Sequence, residues 1–212
     1  MGKGIGGHTR AHHGATDDWI TPPHIVRALG RFDLDPCACI PQPWPCADKS
    51  YNLSDDGLAQ PWDGRVWMNP PYGTRAEPFL AKLAEHGDGV ALLFARTETA
   101  MFHKHVWDKA DALLFLKGRL YFHMPDGTRA SGNAGGPSVL IAYGCENALA
   151  LRDCGLDGAF VEPSRPNRCV TDTTGQTSNP SSKETLEPPE IGAQCGRFPV
   201  VTVGPSGSSN AI

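Results

Sequence analysis

Four consecutive residues, Asn69-Pro70-Pro71-Tyr72, combine groups that suit chemistry on an amine. Two prolines fix φ twice and remove two N–H donors, so the carbonyls around them are held stiffly without ladder partners. The Asn69 side chain adds one more carbonyl acceptor, and Tyr72 adds a flat π-face. Acceptors beside a stacking platform fit a planar ring that bears an exocyclic NH2. In adenine the N6 lone pair is delocalised into the ring. Two acceptors on the two N6 hydrogens pull the nitrogen toward tetrahedral geometry and localise that pair, which can then attack an adjacent methyl sulfonium in line. No strong general base is required, because the methylated product loses its proton readily. The same residues also suit a Pro-rich turn with Tyr in a core, since short motifs match by chance.

The elements that must position this turn follow from periodicity. Pro22–Leu29 suits a short helix with Thr21 as N-cap and prolines in the first turn. Phe32–Asp35 reads as a strand ending at Pro36, and Arg65–Met68 as a strand stopped by Asn69-Pro70-Pro71. Glu77–Glu85 carries Phe79, Leu80 and Leu83 at helical spacing. Gly89–Ala95 is a buried strand and Thr99–Asp108 a helix. Ala112–Leu116, Arg119–Phe122 and Ser138–Tyr143 are further strands. This rhythm predicts an α/β fold with an open, mostly parallel sheet. Ligands in such sheets sit at the carboxyl ends of strands, where Asp35-Pro36 and Asn69-Pro70 both fall.

Composition bounds the rest. The 212 residues suit one domain, and the apolar runs fall far short of the ~20 residues of a membrane span. No basic segment followed by an apolar run opens the chain, so the expectation is a protein that is not secreted. Residues 1–16 form a Gly- and His-rich basic arm, expected to be flexible. Residues 17–162 form the expected folded domain. From Pro163 to Ile212, Ser, Thr, Pro and Gly supply 25 of 50 residues, too few apolar groups to offset ordering entropy, so most of this tail is expected to be disordered. Seven cysteines, an odd number, argue against a disulfide framework. Cys37, Cys39 and Cys46 lack a clear fourth ligand and the paired knuckles of a zinc ribbon, so no metal is expected.

Several ordered blocks resemble the phage-type DNA N6-adenine methyltransferases. They are Trp19-Ile20-Thr21-Pro22-Pro23, Phe32-Asp33-Leu34-Asp35-Pro36-Cys37-Ala38, Val66-Trp67-Met68-Asn69-Pro70-Pro71-Tyr72-Gly73, Phe94-Ala95-Arg96-Thr97-Glu98-Thr99 and Gly118-Arg119-Leu120-Tyr121-Phe122. The resemblance implies a Rossmann-like class I methyltransferase fold and S-adenosylmethionine as methyl donor. It implies that Asn69, Pro70, Pro71 and Tyr72 are catalytic, and that Asp35, Pro36, Cys37 and Ala38 form the first donor-binding segment. The glycine-rich loop usual after that segment is absent, and Cys39-Ile40-Pro41 stands there instead. Thr21 and Pro22 match a pair near the methionine end of the donor. Asp56 falls where such folds place an acid on the donor's ribose or adenine; an ordinary Asp-Gly turn is the other reading. Only 33 residues separate Asp35 from Asn69, so the sheet is expected to be reduced between them.

Arg96 and Thr97 end a buried strand on the same edge, where Arg96 suits a phosphate, the donor carboxylate or an ion pair with Glu98. Arg119 is a candidate DNA contact, and the Gly-rich stretch Met124–Pro137 a candidate mobile loop that engages DNA. The implied function is site-specific methylation of adenine N6 in double-stranded DNA, in the cytoplasm of a bacterial host that carries a phage or prophage. Two alternatives remain open. One is methyl transfer to a protein glutamine or an RNA base amine; the other is a non-catalytic DNA-binding or zinc-binding module. Nothing in the sequence sets an oligomeric state.

The tail yields a first prediction. Removing Pro163–Ile212 leaves the affinity for S-adenosylmethionine, measured by calorimetry, nearly unchanged. A large loss of affinity would make the tail part of the fold.

Overall fold

The computed structural model describes residues 19–163. The arm at 1–16 and the tail beyond residue 163 lie outside the described residues. Helix α1 (Pro23–Ala28) leads into strands β1 (Leu34–Asp35), β2 (Lys49–Ser50) and β3 (Val66–Met68). Helix α2 (Ala76–His86), β4 (Gly89–Phe94), α3 (Ala100–Phe102) and β5 (Ala112–Leu116) follow, then β6 (Ser138–Tyr143), α4 (Cys145–Asp153) and β7 (Gly158–Val161). The seven strands form one sheet in the order β2-β1-β3-β4-β6-β5-β7.

The sheet is mixed rather than mostly parallel. β2, β1, β3 and β4 pair in parallel, whereas β6 is antiparallel to both β4 and β5, and β7 is antiparallel to β5. The reversal falls at the 117–137 connection between β5 and β6, which carries no helix. β1 to β5 nevertheless point one way, so Asp35, Met68, Phe94 and Leu116 end on one edge. Strand order reverses at β1, whose neighbours are β2 on one side and β3 on the other. Between β1 and β3 the chain makes only β2 and a 3-10 turn at Leu53–Asp55, with no α-helix.

Alternation along the strands divides two apolar layers. Trp67, Val90, Leu92, Leu114 and Leu140 face α1 and α4 through Ile25, Val26, Ala148 and Leu151. Val66, Met68, Ala91, Leu93 and Ile141 face α2 and α3 through Leu80, Leu83 and Phe102. Gly87, at φ 77°, ends α2 and donates its N–H to the Leu83 carbonyl, so β4 can start two residues later.

Four expectations change. Pro22, not Thr21, caps α1, and no side chain caps that helix. Pro23 opens the helix with its preset φ, which frees Thr21 for other contacts. Arg119–Phe122 is not a strand: it joins no ladder, although His123 makes isolated bridges to Ile20 and Arg129. The helix expected at Thr99–Asp108 forms over Ala100–Trp107 with Thr99 as its N-cap, but its His103–Trp107 part winds as a π-helix. Helix α4 and strands β2 and β7 were not anticipated; β2 is two exposed residues, and β7 is a half-exposed edge strand.

One close approach fixes the loop after β2. A Cβ on Gly57 would lie 1.9 Å from the Pro36 carbonyl oxygen, and the Gly57 carbonyl accepts a 2.8 Å bond from Trp62 Nε1. Gly57→Ala therefore forces backbone apart, and urea denaturation should show a loss of about 1–3 kcal/mol. An unchanged midpoint would refute the contact.

Candidate active site

The carboxyl edge of the sheet gathers five of the blocks singled out in the sequence. Asp35 ends β1, Asn69 follows β3 and Phe94 ends β4. The 117–137 connection starts at the end of β5, and the extended segment Trp19–Thr21 runs beside it. Ile20 N donates to the His123 carbonyl at 3.0 Å, and His123 N donates back to the Ile20 carbonyl at 2.9 Å.

Asn69 is oriented from this segment. Its Nδ2 donates to the Trp19 carbonyl at 2.8 Å. Because a backbone carbonyl can only accept, the contact settles which end of the amide is nitrogen. Asn69 Oδ1 is left buried and without a hydrogen-bond partner. An unpaired buried polar atom costs about 1–3 kcal/mol. Such atoms concentrate here: Thr21 Oγ1, Tyr72 Oη, His123 Nδ1 and Ser138 Oγ share the condition, and all belong to segments at this edge. Arg65 and His105, elsewhere, also hold buried nitrogens without a hydrogen bond, although His105 Nε2 lies 3.5 Å from Glu77 Oε1.

Tyr72 does not present two free faces. Phe94 stacks on it with ring centroids 4.6 Å apart and planes 8° from parallel. Phe122 meets Tyr72 edge-on at 6.4 Å and also touches Trp19 at 6.5 Å. Burial holds the Tyr72 hydroxyl above the ordinary tyrosine range, so it stays neutral. Phe94, Phe122 and the Trp19 carbonyl are the supports that sequence reasoning missed. The phenylalanines stood in matching blocks as apolar strand residues with no role of their own, and a backbone carbonyl leaves no signature in residue type.

Asp35 is 4% exposed. Its Oδ1 accepts from Cys37 N at 3.1 Å and its Oδ2 from Gln42 Nε2 at 3.4 Å. Among the described residues no Lys, Arg or His pairs with it. Burial pushes its carboxyl up to about 6, against the pull of those hydrogen bonds. The Cys37 thiol lies between this carboxyl and the Asn69 backbone N–H, and burial, then Asp35, holds it well above its ordinary range. Burial likewise pushes the Cys46 thiol up to about 12. Pro36 is buried, and Ala38 donates its N–H to the Tyr51 carbonyl at 2.9 Å. Thr21 is buried, and its carbonyl accepts from Trp44 Nε1 at 3.2 Å; Pro22 is buried beside it. Asp56 is exposed in a left-handed conformation at the end of the 3-10 turn. Its neighbour Gly57 seats that turn on Pro36.

The candidate DNA contacts are on the outside of the same edge. Arg96 is exposed and forms no ion pair with Glu98. The Thr97 carbonyl accepts from Trp107 Nε1 at 3.3 Å. Arg119 is exposed and donates from Nη1 to the Ala134 carbonyl at 3.1 Å. Cys37, Cys46 and Cys154 are unbridged. Among the described residues no three His, Cys, Asp or Glu side chains are grouped to hold a metal ion, and no helix is long and apolar enough to cross a membrane.

Fold and site thus define an α/β protein with free acceptors and stacked rings gathered at one sheet edge. A family model described as DNA N-6-adenine-methyltransferase (Dam) matches residues 8–146. That span is well over half of the chain, and the chain belongs to this family. Membership assigns it, at family level, to the enzymes that methylate adenine N6 in DNA. No curated protein and no solved structure matches the chain.

The Asp35 environment predicts a pH signature. Below about pH 4 the carboxyl is neutral in both folded and unfolded chain and carries no penalty. Between there and pH 6 the unfolded chain ionises while the folded site resists, so stability falls with rising pH and levels off above. A carboxyl moved from 3.8 to about 6 is worth about 3 kcal/mol. Asp35→Asn should therefore be the more stable protein at pH 7.5, and the gap should close at pH 4, in urea denaturation. Parallel wild-type and variant curves would refute it.

Proposed function

We propose that this chain is a site-specific DNA adenine N6-methyltransferase with a reduced Rossmann-like class I fold. It takes the methyl group from S-adenosylmethionine and acts on an adenine extruded from duplex DNA. The observation that carries the reading is the Asn69 amide, turned by the Trp19 carbonyl so that Oδ1 is buried with nothing to accept. The reversal of strand order at β1 supports it, because open α/β sheets bind ligands outside the carboxyl ends at such a point.

The residues at β1 fit the donor. Asp35 is a buried acid without a cation, and Thr21 Oγ1 is an unpaired hydroxyl nearby along the same edge. Thr21, Pro22, Asp35, Pro36, Cys37 and Ala38 are assigned to hold the donor, with Asp56 toward its ribose or adenine. S-adenosylmethionine supplies an electrophilic methyl on a sulfonium. When bound, its positive charge would supply the partner that Asp35 lacks. No metal enters the reading.

An amino group inside a duplex is out of reach, so the base must leave the stack. The Tyr72 ring is assigned to hold it, with Phe94 bracing the ring on one face. Stacking of this kind is worth about 1–3 kcal/mol per base. Asn69 Oδ1 and the stiff carbonyl of Pro70 accept from the two N6 hydrogens, while Pro71 keeps the turn rigid. Acceptance strengthens as positive charge develops on N6, so Asn69 favours the transition state over the ground state. After transfer the extra N6 proton leaves to solvent. Arg96, Thr97 and Arg119 meet the DNA backbone around the site. The setting is the cytoplasm of a bacterium, on phage or host DNA.

The test is single-turnover transfer of labelled methyl to duplex DNA. Asn69→Ala should keep donor affinity and most DNA affinity while the rate falls roughly 10²–10³-fold, the scale of one oriented polar group. Tyr72→Ala should weaken DNA capture, and Tyr72→Phe should be mild because the ring remains. Wild-type adenine methylation by Asn69→Ala, or label appearing in RNA or protein but not DNA, would overturn the reading.

A further inference from the structure

A cavity of about 430 Å³ is lined by the irregular segment 119–123 together with the start of the first helix and Arg129. Its lining includes Pro22, His24, Arg119, Tyr121, His123 and Arg129, and no carboxylate. The segment alternates although it joins no ladder: Phe122 is buried in the core, whereas Arg119 and Tyr121 are exposed. The Arg129 guanidinium is held 3.9 Å over the Tyr121 ring, which fixes its plane and leaves its N–H edge free for an anion. His123 Nδ1 is buried and unpartnered. Burial, then Arg129 and His24, holds the His123 imidazole below the ordinary histidine range.

The cavity is tied to the reacting centre through one peptide group. The Trp19 carbonyl takes the hydrogen bond from Asn69 Nδ2, and the Ile20 N–H of the same peptide donates to the His123 carbonyl. An anion seated against His123 and Arg129 is therefore one peptide plane away from the group that orients Asn69.

We propose that this cavity binds a backbone phosphodiester of the DNA strand next to the extruded adenine, with Arg129 as the anchoring cation. The inference rests on the methyltransferase reading of the neighbouring turn. A phosphate with its sugar fits the volume. Two arginines and two histidines supply N–H donors, and no acid competes for them. The contact positions the strand without reading its sequence. Because the phosphate is met away from the reacting nitrogen, its loss should raise the KM for DNA and leave kcat within a few-fold.

The test compares wild type, Arg129→Ala, Arg129→Lys and His24→Gln on a 20-bp duplex by fluorescence anisotropy across a range of NaCl concentrations. Calorimetry of S-adenosylmethionine binding reports the integrity of the fold. One phosphate contact contributes about 0.9 to the slope of log K against log salt. Arg129→Ala should lose about tenfold in affinity and about one in that slope, with donor affinity unchanged. Arg129→Lys should keep the slope, and His24→Gln should weaken binding less. A slope and affinity in Arg129→Ala equal to wild type would overturn the proposal. So would undiminished DNA binding with loss of dAMP binding, which would assign the cavity to a free nucleotide. If wild type methylates no adenine while Arg129→Ala still lowers the slope, the phosphate site stands and the methyl-transfer reading falls.

Discussion

The peptide group between Trp19 and Ile20 is the tie on which the candidate site depends. Its oxygen fixes the Asn69 amide, and its N–H fixes the 117–137 connection through His123. A single such hydrogen bond is worth only about 1 kcal/mol. Its effect on orientation is larger than its effect on stability. A flipped Asn69 amide would set oxygen against oxygen, so the contact keeps Oδ1 free in every conformation that retains the segment. The same segment brings the Trp19 indole to Phe122, and Phe122 to the edge of Tyr72. In the candidate turn, the Asn69 acceptor is thus held directly by a residue that precedes the first helix, and the Tyr72 ring is reached from it through Phe122.

This arrangement costs stability. The edge holds a buried acid without a cation and a set of polar atoms without partners. A sequence selected for folding alone would fill that space with apolar side chains or complete the hydrogen bonds. The rest of the molecule does so: both faces of the sheet are packed with aliphatic and aromatic residues that are almost fully buried. Local rules are therefore broken where a cationic ligand and an amine would complete them, the pattern expected of a site that trades stability for function.

Much of the scaffold was legible because buried strands are apolar runs with abrupt ends. Ala112–Leu116 and Ser138–Tyr143 have the bounds that their composition predicts, and β3 stops at Asn69-Pro70-Pro71 as two prolines require. Three features were not legible, each for a physical reason. The direction of β6 is set across a 21-residue Gly-rich connection, and such a stretch does not state where or in which direction it returns. Arg119–Phe122 has strand-like residues, but they pack against the core without a ladder, and periodicity reports burial rather than pairing. Thr21 has the right residue type for a cap, yet Pro23 starts the helix without one and leaves the hydroxyl unpaired. In the site, Asn69, Tyr72 and Asp35 were legible as residue types. Their supports, a backbone carbonyl and a stacked Phe94, arise only from tertiary packing.

The missing glycine-rich loop after β1 has a substitute assembled from separate parts of the chain. A turn after a strand needs backbone N–H groups pointing inward and a close approach by a neighbouring segment. Here Asp35 makes the turn itself, since its carboxylate accepts from the N–H two residues on, as aspartates in turns do. The close approach comes from Gly57 in the next connection, whose absent Cβ lets backbone meet the Pro36 carbonyl. Glycine's steric role is therefore met across space rather than along the sequence. The price is that Asp35 must be both turn-former and buried charge, which ties the local geometry of β1 to the ionisation of one carboxyl. A cation bound against Asp35 would lower its pKa and strengthen the very hydrogen bond that shapes the turn. Under the proposed function, donor binding and the conformation of the first turn become a single equilibrium.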